Sequence, residues 1–323
     1  MKSTTHILVV RFSSIGDIVL TTPIIRGLKE QLEGEVHVDF ITKAKYASIV
    51  ESNPFIDRVI TIENKVSEVT VELESTPYDY VVDLHNNIRS RQVKSIVKTL
   101  SFTIDKRNLA KWVYINLKKL HLPIGHFTAR CFQTVQALGV EDDGNGLDFF
   151  IPDDQAVSAN ILPAHFHSGF VAYAIGGLEA GKILPTRMII ELCREIKKPI
   201  VLLGGPEDKG RGEEIAAAVG ESVWNSCGSF SLNKSASLLS LASCVITHDT
   251  GLMHIASALK KKVISLWLAT TPEIGFAPWQ PGEGSVMIEA DCKKRPTSKL
   301  GNRGFEDGCV YNIDLQKIAR HCT

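Results

Sequence analysis

Short runs of β-branched and aliphatic residues alternate with segments of helical period from the first residues onward, and this alternation restricts the possible folds more than any other feature. His6–Phe12 reads as a buried strand, Ser13–Asp17 as a loop, Ile18–Leu32 as an amphipathic helix and Val36–Thr42 as a second strand. Tyr78–Leu84 is another strand, with a long helical stretch beginning near Ile88. The segment from Ile151 to Gly169 holds two prolines and no clear period, and reads in part as a linker. The rhythm then restarts, with strands at Phe170–Ile175, Pro199–Leu203, Ser222–Asn225, Cys244–Thr247 and Lys262–Trp267. Helical patterns at Thr186–Ile196, Glu207–Val219, Leu232–Leu241 and Gly251–Leu259 separate them. Strand–helix–strand repetition of this kind builds parallel sheets with helices on both faces. The expected fold is α/β, with two doubly wound domains over 1–160 and 161–323. Each is long enough to bury its own core.

Composition removes several classes. A hydrophobic share of 44% with 22% charged residues is that of a folded chain. Lys and Arg balance Asp and Glu at 36 each, so net charge gives no reason to expect a nucleic-acid partner. The first apolar run, Ile7–Val10, is too short for a secretion signal, and no later run is long enough to span a bilayer. A cytoplasmic protein is expected. Seven cysteines with wide spacing and no C-x-x-C predict buried, reduced thiols, with neither a disulfide framework nor a zinc site. His165 and His167 form an H-x-H with no neighbouring carboxylate and read as loop histidines.

In open parallel sheets, ligands bind outside the carboxyl ends of the strands. Four loops fall there. Ser13-Ser14-Ile15-Gly16-Asp17 brings a carboxylate to the start of a helix. The others are Gly176–Lys182, Gly204-Gly205-Pro206-Glu207-Asp208, and His248-Asp249-Thr250-Gly251-Leu252-Met253-His254. Backbone N–H groups at a helix start, with a glycine to allow close approach, suit a diphosphate, which places Thr250 and Gly251 as candidates. Lys182, flanked by glycine, offers a point charge to the same group. The first loop has one glycine and not G-x-G-x-x-G, although Asp39 stands at the spacing of a ribose-binding acid. No G-x-x-x-x-G-K-[ST] segment occurs.

The run from Val10 to Pro23, VRFSSIGDIVLTTP, resembles the opening signature of glycosyltransferase family nine, the lipopolysaccharide heptosyltransferase family. The run from Asp249 to Leu259, DTGLMHIASAL, resembles its second signature, Asp-[Ser/Thr]-Gly-x-x-His. Leu203–Asp208 and Gly181–Pro185 resemble the landmarks between them, so the likeness spans nearly the whole chain. It implies two Rossmann-like domains facing a cleft, the GT-B architecture, and transfer of a sugar from a nucleotide diphosphate to a lipid-linked saccharide. The implied donor is ADP-heptose or similar. Position by position, Asp17 matches the base that deprotonates the acceptor hydroxyl, and Lys182 the lysine that neutralises the donor diphosphate. Asp249 matches an acid that contacts the donor sugar, and Thr250 and Gly251 match backbone donors to phosphate. Glu207 matches a ribose-binding acid and Phe230 a side chain packed on the base. His254 either touches the donor or orients its loop.

The chemistry implied is inverting and metal-independent. A carboxylate acting on an alcohol contributes on the order of 10²–10⁴-fold, and fixed donors with a lysine stabilise the departing diphosphate. No two aspartates are spaced as Asp-x-Asp, the usual metal-holding pair, so neither metal nor other cofactor is expected. Several positions depart from the family pattern: Leu184-Pro185 replaces Trp-Pro, and the Cys-x-Pro-Cys segment is reduced to Cys292-Lys293-Lys294-Arg295-Pro296. The alternatives are a nucleotide-sugar epimerase on the same scaffold and a binding module without turnover.

One feature stands apart from the resemblance. Between Asn86 and Arg130 there are ten basic residues and one acid, a local charge of +9 in a neutral chain. Leu109, Val113, Leu117 and Leu120 recur within it at helical spacing, with Trp112 and Tyr114 alongside. This predicts a basic amphipathic helix in the first domain. Arg89, Arg91, Lys111, Lys118 and Lys119 would meet an anionic acceptor or the membrane headgroups around it. The other reading packs the apolar stripe on the core and leaves the lysines in solvent.

Overall fold

The computed structural model describes residues 4–118 and 122–322. The chain divides into two compact units, Met1–Arg107 with Gly125–Phe150, and Asn108–Ile124 with Ile151–Thr323.

The first unit is built on five parallel strands: β1 (Thr4–Val10), β2 (Glu35–Lys43), β3 (Arg58–Ile62), β4 (Tyr80–Asp83) and β5 (Leu100–Thr103). Their order is β3-β2-β1-β4-β5, so the winding reverses between β1 and β4. That reversal opens a crevice at the carboxyl ends of the two strands. The sequence reading did not name β3 and β5. Both are short edges with part-exposed residues, which carry little hydrophobic signal. The helix expected over Ile18–Leu32 is two helices, α1 (Ile15–Val19) and α2 (Thr22–Gln31). The Thr21 and Thr22 hydroxyls donate back to the carbonyls of Ile18 and Val19 at 2.7 and 2.8 Å. Pro23 then sits in the first turn of α2, where a missing N–H costs nothing. Next come α3 (Thr70–Ser75) and α4 (Ile88–Val97). Asn87 caps α4: its side chain accepts from Ser90 N at 2.9 Å, and Ser90 Oγ accepts from Asn87 N at 2.9 Å.

Asp39 is no ribose ligand in this structure. It is fully buried beneath Arg58, which donates from Nε at 3.1 Å, and beneath the hydroxyl of Tyr78. A charge taken wholly out of water requires such partners.

The helical stretch expected beyond Ile88 is interrupted by β5 and resumes as α5 (Asn108–Leu117) and α6 (Phe127–Val135). α6 belongs to the first unit, whereas α5 groups with the second. The boundary therefore departs from a single cut at 160, and the reason is in the side chains of α5. Lys111 lies 4.7 Å from the ring centre of Phe276, and Tyr114 Oη is 3.3 Å from Thr271 Oγ1. Just past the end of α5, Lys118 Nζ donates to the carbonyls of Lys294 and Pro296 at 2.9 and 2.7 Å.

The second sheet comprises β6 (Val171–Ala174), β7 (Ile200–Leu203), β8 (Val223–Asn225), β9 (Cys244–His248), β10 (Val263–Trp267) and β11 (Val286–Glu289). All pairings are parallel, in the order β11-β10-β9-β6-β7-β8, which reverses between β6 and β9. Val171, Tyr173, Leu202 and Ile246 face α7 (Thr186–Glu195), α8 (Lys209–Val219) and, across the sheet's other half, α11 (Leu315–Arg320). Ala172, Val201, Leu203 and Val245 face α9 (Leu232–Leu241) and α10 (Gly251–Ala258). With both faces covered, the strands read as continuous apolar runs, and that pattern made them visible in the sequence.

Five cysteines, at 131, 193, 227, 244 and 322, are buried free thiols, as expected. Cys292 and Cys309 are not. They form a disulfide across 17 residues with Cα atoms 5.5 Å apart. Spacing alone gave no hint of it, because the intervening loop folds back through its contacts and not through regular structure.

Candidate functional site

In the first unit, Asp17 lies in α1, seven residues beyond the end of β1. Ser14 donates to Asp17 Oδ2 from its backbone N at 3.1 Å and from its hydroxyl at 2.6 Å. Arg11 Nη2 pairs with Oδ1 at 2.7 Å. The same guanidinium donates from Nε to Ser13 O at 2.7 Å and from Nη1 to Leu84 O at 2.6 Å. Leu84 follows β4, so this cluster sits at the switch point of the first sheet. Around it the charge is mostly positive. Arg11 and Arg130 both lie over the Phe127 ring, 5.0 and 5.4 Å from its centre. Arg130 is buried, donates to Asp105 O at 2.8 Å, and keeps Nε and Nη2 without a hydrogen-bond partner among the described residues. His85 packs edge-on to Phe12. Burial, then the charges of Arg11 and Lys106, push its imidazole down to about 3. Burial pushes the Cys131 thiol up to about 12.

In the second unit, three loops converge at the carboxyl ends of β6, β7 and β9. Gly176 and Gly177 make this possible: a methyl on Gly177 would stand 3.2 Å from Thr250 Cγ2, and one on Gly176 would strike the Asp208 carboxylate. Lys182 Nζ pairs with Asp249 Oδ2 at 2.6 Å, and Thr270 Oγ1 donates to that same oxygen at 3.0 Å. Thr250 is the N-cap of α10 and Gly251 its first residue, both part-exposed at the switch point between β6 and β9. The first N–H groups of a helix lack intrahelical partners, and the helix dipole favours an anion there. The loop bearing Lys182 is held from below by His248, whose Nε2 accepts from Leu184 N at 3.1 Å. Complete burial, then the charge of Arg211, pushes His248 down to about 3, so the ring is neutral and fit to accept. Arg295 clamps the other side, donating to Ala290 O at 2.9 Å and Thr270 O at 2.7 Å.

The remaining expected residues fall as follows. Glu207 is exposed on the loop after β7, next to Asp208, which is buried and paired with Arg211 at 2.7 Å. Phe230 packs on Trp224 with ring centres 6.2 Å apart, and is part-exposed. His254 is buried within α10. Arg89 and Arg91 line a groove of about 1050 Å³ in the first unit, together with Asn64, Lys65, Thr70 and Asn87. Lys111 departs from expectation. It is 4% exposed beneath Phe276, and of the expected apolar stripe Val113 is buried with it, whereas Leu109 is 72% exposed and the neighbouring Trp112 56%. The cause is the packing of α5 within the second unit, through Lys111 on Phe276 and Tyr114 on Thr271. Lys118 is engaged with carbonyls, and Lys119 lies outside the described residues. His165 and His167 bond to the carbonyls of Glu221 and Leu162 at 3.0 and 3.1 Å. Sequence reasoning missed Arg11, Ser14, His85, Thr270 and Arg295. Arg11 and Ser14 stood inside the quoted signature, adjacent in space to its aspartate, and only coordinates show the pairing.

Two parallel-sheet α/β domains match the architecture of solved GT-B glycosyltransferases. A glycosyl transferase family 9 structure from Veillonella parvula superposes with TM-score 0.71, at 18% identity over 88% of this chain and 85% of that one. The E. coli ADP-heptose lps heptosyltransferase II gives 0.69, at 17% identity over 98% and 97%. The E. coli heptosyltransferase WaaC with ADP gives 0.66, at 20% identity over 88% and 92%. Residues 67–301 match glycosyltransferase family 9 (heptosyltransferase), and the chain belongs to that family. Asp17 precedes the matched residues. Lipopolysaccharide heptosyltransferase 1 of Campylobacter coli is 21% identical over 82% of this chain and 84% of its own length. Lipooligosaccharide heptosyltransferase 2 of Haemophilus influenzae is 36% identical over 78 residues, which span 22% of that protein.

Proposed function

We propose that this protein transfers a heptose from ADP-heptose to a lipid-linked, anionic saccharide of lipopolysaccharide-core type, with inversion and without a metal. The observation that carries the reading is the Lys182–Asp249 pair beside the start of α10, at the switch point of the second sheet. Lys182 and the N–H groups at Thr250 and Gly251 would receive the donor diphosphate, whose negative charge grows as its bond to the sugar breaks. Asp249 would then release the lysine towards phosphate and meet the sugar. Glu207 would take the ribose, Phe230 the base, and His254 would set the loop. In the first unit, Asp17 accepts the proton of the acceptor hydroxyl as its oxygen bonds to the anomeric carbon. The electron pair of the cleaved C–O bond leaves with ADP. Fixed cations are the protein's substitute for a divalent ion in this scheme. ADP bound to WaaC and the heptosyltransferase names among the relatives support the choice of donor.

The groove lined by Lys65, Arg89 and Arg91 offers cations and amides to a phosphorylated or carboxylated saccharide. A lipid-linked acceptor puts the reaction at the cytoplasmic face of a membrane. Among the described residues no helix is long and apolar enough to cross one. The test is a transfer assay read by mass spectrometry, with ADP-heptose and a core-like acceptor, beside calorimetry with ADP. Lys182→Ala should weaken ADP binding, and chelators should leave turnover unchanged. Donor conversion without acceptor would favour an epimerase, and ADP binding without any transfer a binding module. Loss of turnover on chelation, restored by a divalent ion, would refute the metal-free scheme.

A further inference from the structure

Arg11 is 8% exposed in its side chain and forks to three acceptors: Asp17 Oδ1 at 2.7 Å, Ser13 O at 2.7 Å and Leu84 O at 2.6 Å. It thus joins the loop after β1 to the loop after β4, across the switch point of the first sheet. Ser14 engages the other oxygen of Asp17 from two donors. We infer that Arg11 is a positioning residue for Asp17, fixing the direction of its carboxylate and setting a positive charge against it for proton transfer. This rests on the reading of Asp17 as the base.

Three features support the assignment. A planar guanidinium satisfies three divergent acceptors at once, which a lysine ammonium on a flexible stem does not match. The ion pair is largely withdrawn from solvent, so it is screened less than a surface pair. The other groups facing this region do not supply the same effect. His85, from the loop after β4, is pushed down to about 3, and Cys131, on α6, is pushed up to about 12, so both are neutral near pH 7. Arg130, also on α6, donates to Asp105 O, and Lys106 acts on His85. Of the nearby carboxylates, Asp83 at the end of β4 pairs with Lys94 and Asp105 pairs with Arg107, each at 3.1 Å.

The experiment measures kcat, donor KM and the pH–rate profile for Arg11→Met, Arg11→Lys, Asp17→Asn and the Arg11→Met/Asp17→Asn pair. ADP binding and the thermal transition serve as checks on folding. For Arg11→Met, kcat should fall roughly 100-fold with donor KM unchanged, the size of loss that misplacement by about 1 Å produces. The acid limb should rise by about one pH unit, because a carboxylate without its cation protonates more readily. Arg11→Lys keeps the charge and loses the fork, so its acid limb should stay in place while kcat falls about tenfold. In the Asp17→Asn background, Arg11→Met should change the residual rate less than twofold, since a residue that acts through Asp17 has nothing left to act on. An unmoved acid limb in Arg11→Met, or full activity in Arg11→Lys, would overturn the inference. An undiminished Arg11→Met loss in the Asp17→Asn background would end the positioning role and leave the base reading standing. An Asp17→Asn enzyme of wild-type rate would end the base reading itself, and the positioning role with it.

Discussion

Gly181 gives the sharpest structural test of the Lys182 loop. Its α-carbon faces the 298–305 loop so closely that an added methyl would lie well inside contact with the Gly301 carbonyl, 2.9 Å from Phe305 Cδ1 and 3.0 Å from Ala269 Cβ. Its carbonyl is also fixed, accepting from Ala269 N at 3.0 Å. Two of these neighbours are backbone or rigid ring, so they cannot swing aside. Overpacking by one methyl in such a place costs about 1–3 kcal/mol. At roughly 2–4 °C per kcal/mol for a unit of this size, Gly181→Ala should lower the transition of the second unit by about 2–12 °C. Because Lys182 is the next residue, ADP affinity should fall in the same variant at temperatures where the protein remains folded. Gly210 supplies the control. It lies in α8 with nothing within 4 Å of an added methyl, so the same substitution there removes only unfolded-state freedom. Gly210→Ala should stabilise by about 0.5–1 kcal/mol. Differential scanning calorimetry with ADP titration checks both, reading each transition separately because two units need not unfold together. A Gly181→Ala protein with unchanged transition and unchanged affinity would refute the packing argument.

Replacing Cys292 and Cys309 together by serine frees a loop of 17 residues, with an expected loss of about 3 kcal/mol; equal urea midpoints for wild type and variant would show the bridge to be idle. Lys111→Gln removes a buried cation from the Phe276 ring and should destabilise by about 1–2 kcal/mol, measured by urea unfolding, without changing co-sedimentation with anionic vesicles. A large loss of vesicle binding with unchanged stability would restore the membrane-facing reading of α5. His248, depressed to about 3 against 6.5 when exposed, binds a proton more readily in the unfolded chain, so its contribution to stability is complete above pH 6.5 and is lost progressively as pH falls towards 3. His248→Gln should therefore flatten the decline between pH 7 and pH 5 by up to ~1.4 kcal/mol per unit, and an unchanged slope would contradict the buried neutral imidazole.

The sequence was most informative where burial is two-sided. The central strands of both sheets read correctly because covering both faces demands unbroken apolar runs, while edges such as β3, β5 and β11 carried no such demand. Helix ends shifted for local chemical reasons: Thr21 and Thr22 close one turn on their own carbonyls before Pro23 opens the next. The loops at the carboxyl ends were legible as loops, and the structure pairs Lys182 with Asp249, next to Thr250 and Gly251 at the start of α10. What the sequence withheld was pairing across distance. Nothing in the spacing of Cys292 and Cys309 requires the chain between them to turn back, and nothing near Thr270 announces that it will share an oxygen with Lys182.

The contrast between Asp39 and Asp17 shows why an acidic residue at a promising position is only half an argument. Both lie on the first winding of the same sheet. Asp39 is within β2, its carboxylate closed off by Arg58 and Tyr78 with no exposed surface. Asp17 is in the helix after the loop that leaves β1, its side chain 22% exposed although Arg11 and Ser14 hold it. Position along the strand makes the difference: inside the sheet a charge is neutralised by the fold, and beyond its carboxyl edge it remains available to a ligand. The lysine at 111 follows the same rule from the opposite side. A basic, apolar segment has two faces, and which one is buried depends on what it docks against. Phe276, Thr271 and Glu273 offer a ring and hydroxyl or carboxylate oxygens to α5, so the helix turns Lys111 and Tyr114 inward and leaves Leu109 and Trp112 outside. Periodicity alone favours the apolar face, because it weighs the helix without its partner.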